Sequence, residues 1–252
     1  MLALAAVGAL VAVSGLLYLV VGDGGANGGA EPTPSVSSPT AAEADCYGDP
    51  ATIVGTEGDD VIEGTEQRDV IVGLGGDDII RSLGGDDHIC GGVGNDYVLA
   101  GHGDDTPHGD EGDDVLLGEE GVDDIHSDDG NDIAYGGPGN DIVYGGNRDT
   151  GSDVLYGDTG DDFVFGFGGD DTMYGGDGND LMAGDDGPRR PSGGIGDDTM
   201  YGGDGNDRMS GDAGEDFLDG GPGSDECLDA IVWKNCERGD GRGLEVAGAG
   251  AP

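Results

Sequence analysis

The chain has 252 residues, of which 58 are glycine, 55 are acidic and only nine are basic, so its formal net charge is −46. Such a chain should not collapse unaided, because little hydrophobic burial opposes chain entropy and the repulsion between carboxylates. Nucleic acid is excluded as a partner, since phosphate binding needs basic patches. Two interpretations are left: an acidic disordered chain, or a chain that folds when cations neutralise it.

The first 22 residues carry no charge and are almost wholly apolar. A run of this length can span a bilayer as a helix. It is also compatible with a signal peptide, although the basic segment that usually starts one is missing. Both interpretations predict an extracellular protein, either secreted or anchored to the outer face of the cell membrane. Residues 23–45 are rich in Gly, Ala, Pro, Ser and Thr and are predicted to be a flexible linker.

The four cysteines are Cys46, Cys90, Cys227 and Cys236, and no C-x-x-C pair suggests zinc or redox chemistry. An even number in an exported chain favours disulfides. Of the three connectivities, closeness in sequence favours Cys227–Cys236, which leaves Cys46–Cys90.

A nine-residue repeat begins at Gly55 and continues, with a three-residue addition after Gly145, to the region of Cys227. Its sixth position is Asp in all but one of about nineteen repeats, and its eighth position is usually apolar. Chain disorder explains the composition but not an apolar position locked to this phase. The sixth-position aspartates are Asp60, Asp69, Asp78, Asp87, Asp96, Asp105, Asp114, Asp123, Asp132, Asp141, Asp153, Asp162, Asp171, Asp180, Asp198, Asp207, Asp216 and Asp225.

The clearest units are 136–144 (GGPGNDIVY), 175–183 (GGDGNDLMA) and 202–210 (GGDGNDRMS). They resemble the GGxGxDxUx nonapeptide of the repeats-in-toxin, or hemolysin-type, calcium-binding proteins. The resemblance covers roughly residues 51–228. It implies an all-β fold, a parallel β-roll (a right-handed β-helix solenoid) of about nineteen nonapeptides, two to a coil. The roll is expected to occupy residues 46–236 with disulfide-bearing caps, and residues 237–252 are expected to be a disordered tail.

The repeat suits calcium because glycine at the first, second and fourth positions permits positive φ and lets backbone carbonyls converge. The sixth-position aspartates supply hard carboxylate oxygens, which Ca²⁺ prefers. Residues eighteen apart would stack about 4.8 Å apart in two rows, and a cation between stacked carboxylates turns their repulsion into ligation. The sequence predicts Ca²⁺ at about fifteen sites, with folding driven by the metal.

One repeat departs strongly from the pattern. In Gly184–Ser192, Arg189 replaces the aspartate and Pro191 takes the inward strand position. We expect a weak joint that divides the roll and deprives Asp171 and Asp207 of a stacked partner.

The ninth position holds Leu99, Leu117, Tyr135, Tyr156 and Tyr174 on alternate repeats, so these side chains should form a strip on one face. Cross-strand packing is the favoured explanation. The alternative is a carbohydrate-binding adhesin, with a glycan or another cell-surface partner on this strip.

Neither catalysis nor zinc binding is predicted. Zinc needs convergent ligands, and the histidines are expected to be scattered at different phases of the repeat: His88, His102, His108 and His126. No H-E-x-x-H, G-x-S-x-G or P-loop pattern occurs, and the aspartates already have a place in the ladder. The chain is therefore not expected to be an enzyme.

Overall fold

The computed structural model describes residues 10–13, 16–19, 44–146, 151–184, 197–211, 215–228, 232–236, 238–239 and 244–245. The chain divides into two units, Met1–Thr33 and Pro34–Pro252. In the first unit, β1 (Leu10–Val13) pairs antiparallel with β2 (Leu16–Leu19), and the rest of the predicted apolar segment 1–22 lies outside the described residues. A search of the described residues finds no helix with the length and hydropathy of a membrane span.

The second unit opens with the cap hairpin, in which β3 (Asp45–Cys46) pairs antiparallel with β4 (Asp49–Pro50). Two sheets of eleven strands follow, and successive strands alternate between them. The odd sheet contains β5 (Ile53–Val54), β7 (Val70–Gly75), β9 (His88–Val93), β11 (Thr106–Glu111), β13 (Asp124–His126), β15 (Ile142–Gly146), β17 (Phe163–Phe167), β19 (Leu181–Ala183), β21 (Arg208–Ser210), β23 (Glu226–Leu228) and β25 (Arg238–Gly239). The even sheet contains β6 (Val61–Thr65), β8 (Ile79–Leu83), β10 (Tyr97–His102), β12 (Val115–Glu120), β14 (Ile133–Pro138), β16 (Val154–Thr159), β18 (Thr172–Asp177), β20 (Thr199–Asp204), β22 (Phe217–Asp219), β24 (Val232–Lys234) and β26 (Leu244–Glu245).

The strands within both long sheets are parallel and stack in register. Ile71 lies beside Ile89 in the odd sheet, and Val98 lies beside Leu116 in the even sheet, each pair eighteen residues apart. One coil therefore takes two nonapeptides, one strand for each sheet. The predicted all-β, parallel β-roll is confirmed.

The core is a column of eighth-position side chains that point inward between the sheets. Alternation along a strand sends this residue inward and its two neighbours outward. A thin core of this kind is stabilised by about 1.5–3 kcal/mol for each large side chain that is fully buried. The buried column contains Ile62, Ile71, Ile80, Ile89, Val98, Leu116, Ile125, Ala134, Val143, Leu155, Val164, Met173, Met182, Met200, Met209, Leu218 and Cys227.

The strands stack continuously past Gly184–Ser192, so the prediction that this repeat divides the roll is wrong. Thr172 lies beside Thr199, and Leu181 lies beside Arg208, so the ladder steps across 27 residues without a break. Apart from Gly184, that repeat lies outside the described residues. The count of nineteen repeats is therefore not matched, because the repeats on either side stack directly on each other.

Disulfides close both ends of the roll with the favoured connectivity. Cys46 of the cap hairpin bonds to Cys90 of β9, with their Cα atoms 5.7 Å apart. Cys227 of β23 bonds to Cys236, with their Cα atoms 5.9 Å apart. The first disulfide lies in a small second core with Val70 and Val72 beneath the hairpin.

Candidate metal centre

The sixth-position aspartates form two ladders, one along each edge of the roll. The Asp78 amide donates a hydrogen bond to Oδ1 of Asp96 (2.8 Å), and the Asp96 amide donates to Oδ1 of Asp114 (2.7 Å). Asp171 and Asp180 continue the pattern with Asp198 and Asp207, both at 2.9 Å. The expectation that Asp171 and Asp207 lose a stacked partner is therefore wrong.

The second carboxylate oxygen of many ladder residues is buried without a hydrogen-bond partner. Asp78 and Asp114 are each only 1% exposed. A buried carboxylate oxygen left in this state is costly unless a cation or a proton satisfies it. Oδ2 is buried and lacks a hydrogen bond in Asp78, Asp87, Asp96, Asp105, Asp114, Asp123, Asp141, Asp162, Asp180 and Asp207.

In most turns the first position is glycine, which leaves space beside this oxygen; the exceptions are Ser82, Ala100 and Ser127. A Cβ on Gly91 would collide with Oδ2 of Asp96 and would also approach the carbonyl oxygen of Gly109. A Cβ on Gly109 would meet Oδ2 of Asp114 and the carbonyl oxygen of Ser127 in the same way. A carboxylate oxygen and a carbonyl oxygen of the next coil thus converge on the space that each glycine leaves.

These donors fit a hard cation. Among the described residues, no three His, Cys, Asp or Glu side chains gather around one point. Further ligands would therefore be backbone carbonyls, and an all-oxygen set of six to eight ligands is typical of Ca²⁺ rather than of zinc.

The family described as RTX calcium-binding nonapeptide repeat (4 copies) matches residues 54–89, 63–98, 83–116, 99–134, 117–147, 149–182 and 192–227. The chain belongs to this family. The RTX repeats support calcium binding by the roll, in agreement with the oxygen donors of its ladders. No curated protein matches the chain.

Burial raises the pKa of eight carboxyl groups in the RTX ladders to about 6 or 7. Desolvation, partly offset by the hydrogen bond from the neighbouring backbone amide, raises the pKa of Asp78, Asp114 and Asp123 from 3.8 to about 7. Without calcium, these three carboxyls therefore favour the protonated form only below about pH 7. The same balance raises the pKa to about 6 for Asp105, Asp141, Asp162, Asp180 and Asp207.

The first aspartate of each RTX ladder differs from the others. Oδ2 of Asp60 accepts hydrogen bonds from the amide (2.6 Å) and hydroxyl (2.8 Å) of Thr56. Oδ2 of Asp69 accepts equivalent bonds from Thr65, at 2.7 and 2.9 Å. Threonine at the second position thus supplies donors at the start of each ladder.

The glycines have separate roles in the turns. At the second position the backbone is often left-handed even where the residue is not glycine, as at Leu74 (φ 82°) and Phe167 (φ 72°), but not at Thr56 or Thr65. None of the described first-position glycines has a positive φ. The prediction of positive φ at the first position is therefore wrong. Glycine there avoids a close contact with the neighbouring oxygen atoms, although Ser82, Ala100 and Ser127 occupy the position in three turns.

The ninth-position strip on the even sheet stacks as predicted and is longer than predicted. The ring centroids of Tyr135 and Tyr156 lie 4.6 Å apart, and those of Tyr156 and Tyr174 lie 4.7 Å apart, with planes within 5°. Tyr201 continues the stack at 5.1 Å from Tyr174. These rings cover one another's faces, which agrees with cross-strand packing.

A second stack on the odd sheet was missed by the sequence analysis. His108 lies between Tyr47 (4.0 Å) and His126 (4.5 Å), and His126 stacks on Tyr144 (4.7 Å). Nδ1 of His108 lies 3.1 Å from Oδ2 of Asp128. His108 and His126 both occupy the ninth position, eighteen residues apart, so attention to the repeat phase would have found them.

Proposed function

We propose that the chain is an extracellular calcium-binding module whose roll folds as Ca²⁺ enters the two aspartate ladders. The row of buried carboxylate oxygens without hydrogen-bond partners carries this proposal, as in Asp78, Asp96 and Asp114. At neutral pH each of these oxygens needs a cation, and the neighbouring carbonyl oxygens supply the other donors that calcium requires. Bound calcium would neutralise the stacked carboxylates, and the ladder residues would hold it in place.

Export is supported by two features of the chain. Disulfides at both ends of the roll belong to oxidising compartments, and residues 1–22 are apolar enough for a signal peptide or a membrane anchor. Extracellular calcium modules commonly have dissociation constants of about 10⁻⁴–10⁻³ M, which suits the calcium concentration outside cells. Residues 23–45 would then act as a linker. A tail would begin only after β26 (Leu244–Glu245), because β25 and β26 still pair within the two sheets.

The proposed role is structural rather than catalytic. The ladder aspartates already have a structural role. From Asp60 to Asp207, the backbone amide of each donates a hydrogen bond to Oδ1 of the next aspartate in its ladder. The tyrosine strip adds packing between coils, since its ring faces are turned toward one another.

A matched pair of variants tests the proposal. Asp114 is buried in the ladder, whereas its neighbour Asp113 points outward and accepts hydrogen bonds from Asn131. Asp114→Asn and Asp113→Asn remove the same charge. Circular dichroism during a calcium titration, with bound calcium counted by equilibrium dialysis, should show a higher calcium midpoint and fewer bound ions for Asp114→Asn only. Equal behaviour of the two variants would exclude the ladder as the calcium site.

A further inference from the structure

The outward surface of the even sheet is apolar along nearly its whole length. In the ten strands from β6 to β24, its seventh- and ninth-position side chains form two parallel rows, which we call the even face. The seventh-position row contains Val61, Ile79, Tyr97, Val115, Ile133, Val154, Thr172, Thr199, Phe217 and Val232.

The ninth-position row is apolar in the middle and charged at both ends. Glu63 and Arg81 begin it, and Asp219 and Lys234 end it. Between them lie Leu99, Leu117, Tyr135, Tyr156, Tyr174 and Tyr201.

The even face has no net charge, although the chain as a whole carries −46. Its four charged residues are two acids and two bases. On the odd sheet the matching rows contain His88, Asp124, Arg208 and Glu226, and the cap hairpin covers their beginning. An extended neutral apolar surface on so acidic a chain is typical of an interaction site.

We propose that the even face binds the even face of a second copy of this chain, with the two rolls antiparallel. A twofold axis parallel to the strands places each row against the same row reversed, since a symmetric interface is self-complementary. Glu63 then faces Lys234, and Arg81 faces Asp219, while the apolar middle residues face one another. In the seventh-position row, Val61 faces Val232 and Ile133 faces Val154.

The parallel arrangement does not fit. A twofold axis along the roll would place the ninth-position row over the seventh-position row at the same level. Glu63 and Arg81 would then lie against Val61 and Ile79, and charges would be buried on apolar groups at a high cost. The reversed arrangement instead sets charge against charge: Glu63 lies beside Lys234 of the second copy, which also bonds Asp219 within its own chain at 2.6 Å.

The size of the even face predicts a weak dimer. Ten strands at about 4.8 Å and a width of roughly 12 Å give about 500 Å² per copy. The dimer would bury about 1,000 Å² in total, near the lower limit for a specific interface. We therefore expect a monomer–dimer equilibrium, favoured when calcium has reduced the repulsion between the acidic chains.

Sedimentation velocity of the full chain in millimolar calcium, over a concentration series, tests this proposal. The wild-type mass should rise toward a dimer. Arg81→Glu should raise the dissociation constant about tenfold or more, because two acids would then face each other. Adding Asp219→Arg should restore dimerisation, although each substitution places like charges side by side within the chain. Arg208→Glu, the same charge change on the odd sheet, is the matched control and should have no effect.

Tyr201→Glu provides a second test with a different chemistry, since Tyr201 is 37% exposed in the apolar part of the even face. Circular dichroism in calcium is measured first on every variant, because dimerisation rests on the proposed calcium-dependent folding. Absence of β structure in wild type with calcium contradicts the proposed function. A folded chain that stays monomeric at all concentrations overturns the dimer alone. The dimer proposal is also overturned if none of the substitutions changes the association. The same holds if the double substitution does not restore it.

Discussion

Removal of calcium at neutral pH should unfold the roll, and acid should partly restore it. Eight ladder aspartates have a pKa raised from 3.8 to about 6 or 7 by burial. Each shift means that ionisation costs about 3–4 kcal/mol more in the fold than in the unfolded chain. These costs all have the same sign, and domains are usually stable by only about 5–15 kcal/mol, so ionised ladders oppose folding at neutral pH.

The direction of the pH effect follows from the raised pKa values. The unfolded carboxyls ionise near 3.8, whereas the folded ones stay protonated up to pH 6 or 7. The calcium-free fold is therefore favoured most below the unfolded pKa, and this advantage is lost as pH rises through the folded pKa. Lowering the pH from about 7.5 to 5 should stabilise the calcium-free fold by about 2 kcal/mol per aspartate.

Far-UV circular dichroism in EGTA at the two pH values provides the measurement. We expect a disordered spectrum at the higher pH and a gain of β signal at the lower one, above the sequence pI of 4.1. Sodium chloride in place of acid is the control, since salt screens exposed charges but does little for buried ones. At about pH 5, calcium should release protons as it binds, and titration calorimetry in buffers of different ionisation enthalpy counts them. A β spectrum that is unchanged, or that weakens on acidification, would refute the reasoning.

Three further predictions concern particular residues. Gly109→Ala should destabilise the calcium-bound roll by about 1–3 kcal/mol, because the added Cβ crowds the oxygen atoms of one site. Thermal unfolding in calcium is the measurement. Gly58→Ala is the control, because nothing lies within 4 Å of the Cβ added there. Replacing the cysteines by serine pairwise should cost about 4 kcal/mol for Cys46–Cys90 and about 2.5 kcal/mol for Cys227–Cys236; calcium-bound denaturant curves in which the Cys227–Cys236 pair proves the costlier would contradict this ranking. Deleting residues 185–193 should leave the midpoint of the calcium titration unchanged, because the deletion joins Gly184 to Gly194-Ile-Gly-Asp-Asp198 and so restores a regular turn. A large rise in that midpoint would show that the deleted segment contributes to the ladder.

The resemblance of the repeat to the RTX nonapeptide implied the roll, and the spacing within the repeat then predicted its core and its two aspartate ladders. Position fixes role in this repeat: the sixth residue lies at the turn and the eighth points inward, so Asp114 and Leu116 could be assigned without coordinates. Stacking across Gly184–Ser192 could not be predicted, because counting residues treats every nonapeptide as half a coil. In the structure Asp171 stacks on Asp198. The repeats on either side form regular strands that pair directly, whereas proline at the inward position, as in Pro191, disfavours a paired strand.

The same division of roles indicates where functions beyond calcium binding should be sought. The first and sixth positions are constrained by oxygen contacts, and the eighth by the core, so changes there disturb folding and metal binding together. Away from the cap hairpin, the seventh and ninth positions point away from the core column and carry no ladder oxygen, so they can vary without removing a calcium ligand. On the even sheet they form an uncharged surface with paired charges at its ends, whereas on the odd sheet the ninth position stacks His108 and His126 under the cap hairpin. Because one scaffold thus presents two chemically distinct faces, substitutions at the seventh and ninth positions can separate partner binding from calcium binding.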